Sequence, residues 1–182
     1  MPGCAWARSR PRPASSCRSR PDRRVRIRPA VESDLGTIEE LIRALAEYER
    51  MSGDVVMDSE GLRRSLFGDH PYAEVLIAEE DDGEPVGFAL FFHNFSTFLG
   101  RPGIYLEDLF VKPEQRGRGH GKALLQRLAE IAVERDCGRM EWAVLNWNEP
   151  SIGFYRSLGA RPNDEWTVYR LTGEALERLA GA

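Results

Sequence analysis

The segment Glu114-Gln115-Arg116-Gly117-Arg118-Gly119-His120-Gly121-Lys122 carries the densest chemical signal in the chain. Three alternate glycines let a backbone wrap closely around a bulky group. If a helix starts here, its first amides and the positive end of its dipole face that group, an arrangement that favours a phosphate. Arg116, Arg118 and Lys122 add positive charge. A glycine-rich turn can also be purely structural, so the loop alone does not decide a function. Two familiar phosphate loops fail on spacing. A P-loop needs Ser or Thr after its lysine, and Lys122 is followed by Ala123. A dinucleotide fingerprint needs a third glycine where Lys122 stands and a later ribose-binding acid in a βαβ repeat.

A second signal is a pair of acids, Glu107 and Asp108, inside the apolar run Ile104–Val111 (IYLEDLFV). Carboxylates in such a strand are costly to bury unpaired, which points to a role, although ordinary edge-strand acids are the plain alternative. Strict alternation places Glu107 on one face of the strand and Asp108 on the other, with unequal exposure.

These residues need elements to position them. Val25–Pro29 alternates like a short strand, and Ser33-Asp34 can cap the helix whose apolar face is Leu35, Ile38, Leu41, Ile42, Leu45 and Tyr48. Asp58 or Ser59 opens a shorter helix that ends before Phe67–Pro71 (FGDHP). Glu74–Glu79, the turn Asp81-Asp82-Gly83 and Val86–Phe95 read as a hairpin, and Ile104–Val111 as the next strand. Gly119–Arg135 is helical, with Gly138 suited to stop it. Met140–Leu145 is a strand, Pro150–Leu158 a helix followed by Gly159, Thr167–Leu171 a strand and Thr172–Leu179 a short helix. This order mixes antiparallel hairpins with one β-α-β step, hence an α/β sheet with helices on both faces.

Composition narrows the class. The net charge of −4 hides a split: residues 1–24 hold seven arginines against Asp22, a net +6, and the remainder is −10. A field of that sign on the folded part repels nucleic acid and favours cationic partners. No apolar run approaches the roughly 18 to 20 residues of a membrane span. Two of three cysteines lie in the tail, leaving Cys137 alone in the domain, which fits a reducing, cytoplasmic compartment. His70, His93 and His120 are far apart with no ligand-spaced cysteines, so no metal is expected. Residues 1–24 have four prolines, no apolar periodicity and no signal-type apolar core, and are expected to be a disordered extension to a single domain at 25–182; a transit peptide is the alternative.

What remains of the loop, Arg-x-x-Gly-x-Gly at Arg116, Gly119 and Gly121, resembles the pyrophosphate loop of the GNAT superfamily of acyl-CoA-dependent N-acyltransferases. Ile27–Pro29 (IRP), Leu45–Glu49 (LAEYE), Phe67–Pro71 (FGDHP), Tyr105–Val111 (YLEDLFV), Arg116–Gly121 (RGRGHG) and Trp147–Ala160 (WNEPSIGFYRSLGA) resemble, in order, its diamine acetyltransferases, the spermidine/spermine and thialysine group. The resemblance spans 25–182 and implies the GNAT fold, a mixed, mostly antiparallel sheet with helices on both faces. It also implies acetyl-CoA as cosubstrate, a small cationic amine as acceptor, and a homodimer.

An alkyl amine must lose a proton before it attacks a thioester, and by resemblance Glu107 binds the amine and relays that proton through water, with Asp108 nearby. Tyr155 is matched to the donor that protonates the leaving CoA thiolate, although periodicity alone would make Phe154 and Tyr155 core aromatics. The backbone of Leu109, Phe110 and Val111 is matched to the pantetheine arm, and Arg116, Gly117, Arg118, Gly119, His120, Gly121 and Lys122 to the pyrophosphate. Asn148 and Ser151 are matched to the cofactor's far side; Asn148 can equally cap the following helix. Tyr48, Glu49, Glu141 and Trp142 are matched to the amine site, where acid plus aromatic suits a cation, a solvated helix end being the alternative for Tyr48-Glu49. One departure stands out. Asn94–Gly103 (NFSTFLGRPG) lacks the acid that some polyamine-acetylating members carry and contains Arg101, which weighs against spermidine or spermine as the specific substrate. A peptide or protein N-acetyltransferase and a non-catalytic acyl-CoA sensor are the competing readings.

Overall fold

Apolar residues recurring every three or four positions make α1 (Leu35–Glu49) and α3 (His120–Glu134) amphipathic, and each buries its stripe against a sheet. A computed structural model describes residues 25–181; the extension expected at 1–24 lies outside the described residues. The chain divides after Trp142 into two compact units.

The first unit contains β1 (Arg26–Pro29), α1, α2 (Ser59–Phe67), β2 (Glu74–Glu79), β3 (Pro85–Ser96), β4 (Arg101–Val111), α3 and β5 (Met140–Trp142). Its sheet runs β1-β2-β3-β4-β5, antiparallel except for the parallel β4–β5 pair, as the sequence leads one to expect. On one face Ile38, Leu41 and Leu45 of α1 and Leu66 of α2 close over Val75, Ile77, Phe88 and Phe110. Each such side chain contributes about 1.5–3 kcal/mol, so this layer outweighs the exposed ion pairs, worth about 0–1 kcal/mol apiece. Helix α3 packs on β2, β3 and β4 with Leu124, Leu125, Leu128 and Ile131 buried.

Asp34 caps differently from expectation. Its carboxylate turns back to accept the Val31 amide at 2.7 Å and two Arg28 guanidinium bonds at 2.6 and 2.8 Å, and Arg28 Nε also donates to Glu79 at 2.6 Å. This staple ties β1 to β2 and to the entry of α1. The guanidinium holds the Asp34 carboxyl below the usual carboxylate range. Asp58 does cap α2, accepting the Gly61 amide at 2.7 Å.

Two further expectations are corrected. Helix α3 ends through Asp136 at φ 52°, while Gly138 serves close packing: a Cβ there would lie 2.9 Å from Leu99 Cδ1. The strand expected over Met140–Leu145 stops at Trp142, opposite Leu106, because β4 is irregular immediately afterwards.

The second unit contains α4 (Glu149–Ser157) and α5 (Gly173–Ala180). Asn148 is the N-cap of α4, its Oδ1 accepting the Ser151 amide at 3.3 Å, and Gly159 follows α4 at φ 90°. No strand forms over Thr167–Leu171, where Val168 and Tyr169 are exposed. A strand requires an edge to pair with, and residues 143–181 contain none.

Candidate functional site

The centre of the site is a β-bulge. Along β3 and β4, Leu90 pairs with Asp108 and Phe91 with Leu106, so Glu107 is an extra residue with no partner on β3. The bulge resets the alternation. Leu90 and Phe88 face the α1 core, so their partners Asp108 and Phe110 share that face. Tyr105, paired with Phe92, shares it too, although it is three residues from Asp108. Plain alternation therefore fails across Glu107, while the unequal exposure holds: Glu107 is exposed and Asp108 half-buried.

Two carboxylates act on a third here. Burial, then the Glu107 and Glu49 charges, push the Asp108 carboxyl up to about 6. Burial also raises that of Glu49, in the last turn of α1. Asp108 thus holds a proton far more readily than a free aspartate. A bound cation would relieve the repulsion.

Beside Glu49, the Tyr48 ring carries the Arg116 guanidinium, whose Cζ lies 4.2 Å from the ring centroid and 5.8 Å from that of Phe110. Arg116 Nε also donates to the Val111 carbonyl at 3.0 Å. The glycine-rich loop continues from there. Gly117 and Gly119 take φ of 74° and 94°, conformations that favour glycine, and Gly119 is the N-cap of α3. The loop amides therefore precede a fifteen-residue helix whose dipole favours an anion. Arg118 is turned to Gln115 (2.7 Å) and Glu80 (3.4 Å). His120 is buried, its Nε2 3.2 Å from Glu80 Oε1 but not aligned as a hydrogen bond. Gly121 follows inside the helix, and Lys122 is exposed with no ion pair to the described residues.

On its other side β4 pairs with β5 only at Ile104, Tyr105 and Leu106. No strand among the described residues pairs with Glu107–Val111 on that side, the stretch that includes Leu109, Phe110 and Val111. Glu141, opposite Tyr105, accepts a hydrogen bond from Asn94 Nδ2 at 2.7 Å and forms an ion pair with Arg139, whose Nε lies 2.8 Å away, and Trp142 stands opposite Leu106. In the second unit Asn148 is buried, Ser151 is half-buried, and the Tyr155 ring lies 5.5 Å from Phe154.

Two residues with a part in this geometry escaped the sequence reading. Glu80 gathers Arg118 and His120 across 38 and 40 positions, and Asn94 reaches Glu141 across 47. Only the acid pair Glu79-Glu80 at the end of an apolar run hinted at the first.

A family model described as the acetyltransferase (GNAT) family matches residues 38–160, a span holding every site residue from Tyr48 to Tyr155. The chain belongs to the GNAT acetyltransferase family. The acetyltransferase is 43% identical over 167 residues to the thialysine N-epsilon-acetyltransferase of Bos taurus, covering 86% of this chain and 98% of that protein. It is 32% identical to the L-ornithine N5-acetyltransferase NATA1 of Arabidopsis thaliana, over 85% of this chain and 87% of that one. An integron cassette protein from the mobile metagenome of V. cholerae shares its fold with a TM-score of 0.72 and 30% identity, over 87% of this chain and 98% of that chain. The acetyltransferase is thus an enzyme of amine acetylation with the GNAT α/β fold.

Proposed function

We propose that the enzyme transfers an acetyl group from acetyl-CoA to a primary amine of a small cationic acceptor, a diamine, polyamine or lysine analogue, by direct attack on the thioester. The observation that carries this reading is the meeting of Glu49, Glu107 and Asp108 around the β4 bulge, an anionic cluster in the unit that also holds a glycine-rich loop at a helix N-terminus. A cation is favoured at the first and a pyrophosphate at the second. The names of the thialysine and ornithine relatives, each an amine acetyltransferase, support it.

In this reading the amides from Gly117 to Gly121, with Lys122, hold the pyrophosphate, and Leu109–Val111 bond the pantetheine arm, with Asn148 and Ser151 on its far side. Carboxylates Glu49 and Asp108 attract the ammonium group, with Tyr48, Glu141 and Trp142 as neighbouring wall. Glu107, exposed on the bulge, accepts the amine proton directly or through water. Attack by the free amine gives a tetrahedral intermediate, which expels the CoA thiolate as the Tyr155 hydroxyl supplies its proton. No covalent acyl-enzyme forms and no metal takes part. A cytoplasmic homodimer that binds neither nucleic acid nor membrane completes the proposal. No helix among the described residues is long and apolar enough to cross a membrane.

The test follows thiol release from acetyl-CoA with a panel of diamines, polyamines and lysine analogues. Turnover with at least one of these is expected, and none with any amine overturns the reading. Activity confined to peptide amines would move the assignment to a protein acetyltransferase.

A further inference from the structure

Arg116 opens the glycine-rich loop, yet its guanidinium contacts, with the Val111 carbonyl and the Tyr48 and Phe110 rings, lie on the acidic side. Its Nε donates to the carbonyl of Val111, five residues back on β4, and its plane covers the Tyr48 ring of α1. We propose that Arg116 is a positioning residue of the amine site and not a pyrophosphate ligand, an inference that rests on the function proposed above. The guanidinium clamps the last turn of α1 to the end of β4 and so fixes Glu49 relative to Asp108.

Four observations converge on that role. Tyr48 is the neighbour of Glu49, and Phe110, the second ring near the guanidinium, is two residues from Asp108 and on its face. The clamp therefore touches both elements that supply the acid cluster. The guanidinium is held at two points, a hydrogen bond at 3.0 Å and a ring face at 4.2 Å, a geometry that a lysine cannot reproduce. No carboxylate among the described residues lies within ion-pair distance of Arg116, and Asp108 is pushed up and not down, so the role is orientation and not neutralisation. Finally, Tyr48 also packs on the core below, so the ring is a fixed surface for the guanidinium. One consequence concerns the acceptor. The ring face that would receive a substrate cation is already covered, and recognition of the ammonium falls to Glu49, Glu107 and Asp108.

The experiment compares wild type with Arg116→Ala, Arg116→Lys, Tyr48→Ala and the double Arg116→Ala/Tyr48→Ala variant. KM for the amine and for acetyl-CoA is measured in steady state, CoA affinity by calorimetry and stability by thermal melting. Arg116→Ala should raise the amine KM on the order of tenfold, while CoA affinity stays within about twofold. Arg116→Lys should not rescue, and the double variant should be no worse than the worse single. Loss of CoA affinity with an unchanged amine KM overturns the proposal, as does full rescue by lysine, or additive losses in the double variant. Equal losses of both substrates that track a lowered melting temperature also overturn it. If wild type acetylates no amine, the functional reading fails by itself, and the calorimetric arm still reports whether Arg116 serves the phosphate.

Discussion

Asp108 stands directly opposite Leu90 on the neighbouring strand, so a carboxyl group projects from the sheet face that Phe88 and Phe110 build into the core. A leucine partner offers that carboxyl no hydrogen bond. Burial and two nearby acids then make it the most strongly perturbed carboxyl described, and the first target for experiment.

Asp108 should leave a pH signature. Its carboxyl is pushed up to about 6, chiefly by burial. A carboxyl raised by folding supports the fold while protonated, so this contribution declines as pH rises from about 4 to about 6 and is constant above, a loss of order 2–3 kcal/mol. Asp108→Asn removes the decline. Melting temperatures of variant and wild type should diverge in the variant's favour across that window, and a gap independent of pH would refute the assignment. The same ionisation should give amine kcat/KM an inflection near pH 6 in wild type that Asp108→Asn lacks.

The loop cations are expected to be unequal. Arg118 is engaged by Gln115 and Glu80, whereas Lys122 is exposed and forms no ion pair with the described residues. Lys122→Ala should weaken CoA binding by about 1 kcal/mol, roughly fivefold, and less at high salt. Arg118→Ala should weaken it less. Calorimetry at two ionic strengths distinguishes them, and the reverse order would show that Arg118 leaves Glu80 for the ligand.

Gly87 sets how closely β3 approaches β4. A Cβ there would lie 2.5 Å from the Phe110 carbonyl oxygen and 3.2 Å from Val111 Cα, both backbone atoms. Gly87→Ala must push the strands apart beside Leu109–Val111, at a cost of about 1–3 kcal/mol. A lower denaturation midpoint together with weaker CoA binding is expected; an unchanged midpoint would mean that the strands yield freely.

Tyr155→Phe tests the proton donor. The ring and its contact with Phe154 remain, and only the hydroxyl goes. The chemical step should slow by about 10²-fold or more while the KM for acetyl-CoA changes little. Single-turnover rates report this directly, and equal rates would remove Tyr155 from the mechanism.

Much of this architecture is legible in the chain because burial imposes periodicity. The stripe from Leu35 to Leu45, the hairpin around Asp81-Asp82-Gly83 and the Asn148 cap are local patterns, and local patterns survive in the fold. The glycine-rich loop is legible for the same reason, since Gly117 and Gly119 do adopt φ values that favour glycine. The bulge is not, because a period of two contains no signal for an inserted residue, and Glu107-Asp108 reads as plain alternation. Long-range polar contacts are equally silent: nothing near Glu141 announces Asn94, and nothing near Arg116 announces Tyr48. The strand expected at Thr167–Leu171 failed differently. Its residues favour a strand, but strand propensity does not supply a partner.

The bulge also ties the site to the fold in its tolerance of deletions. Ile104 and Leu106 precede Glu107 in one phase of the strand, and Asp108 and Phe110 follow it in the other. Removing Glu107 alone would restore even alternation and leave Tyr105, Asp108 and Phe110 on the face that α1 covers. The core therefore tolerates loss of the inserted residue, whereas the acid cluster, which loses one of its three carboxylates, does not.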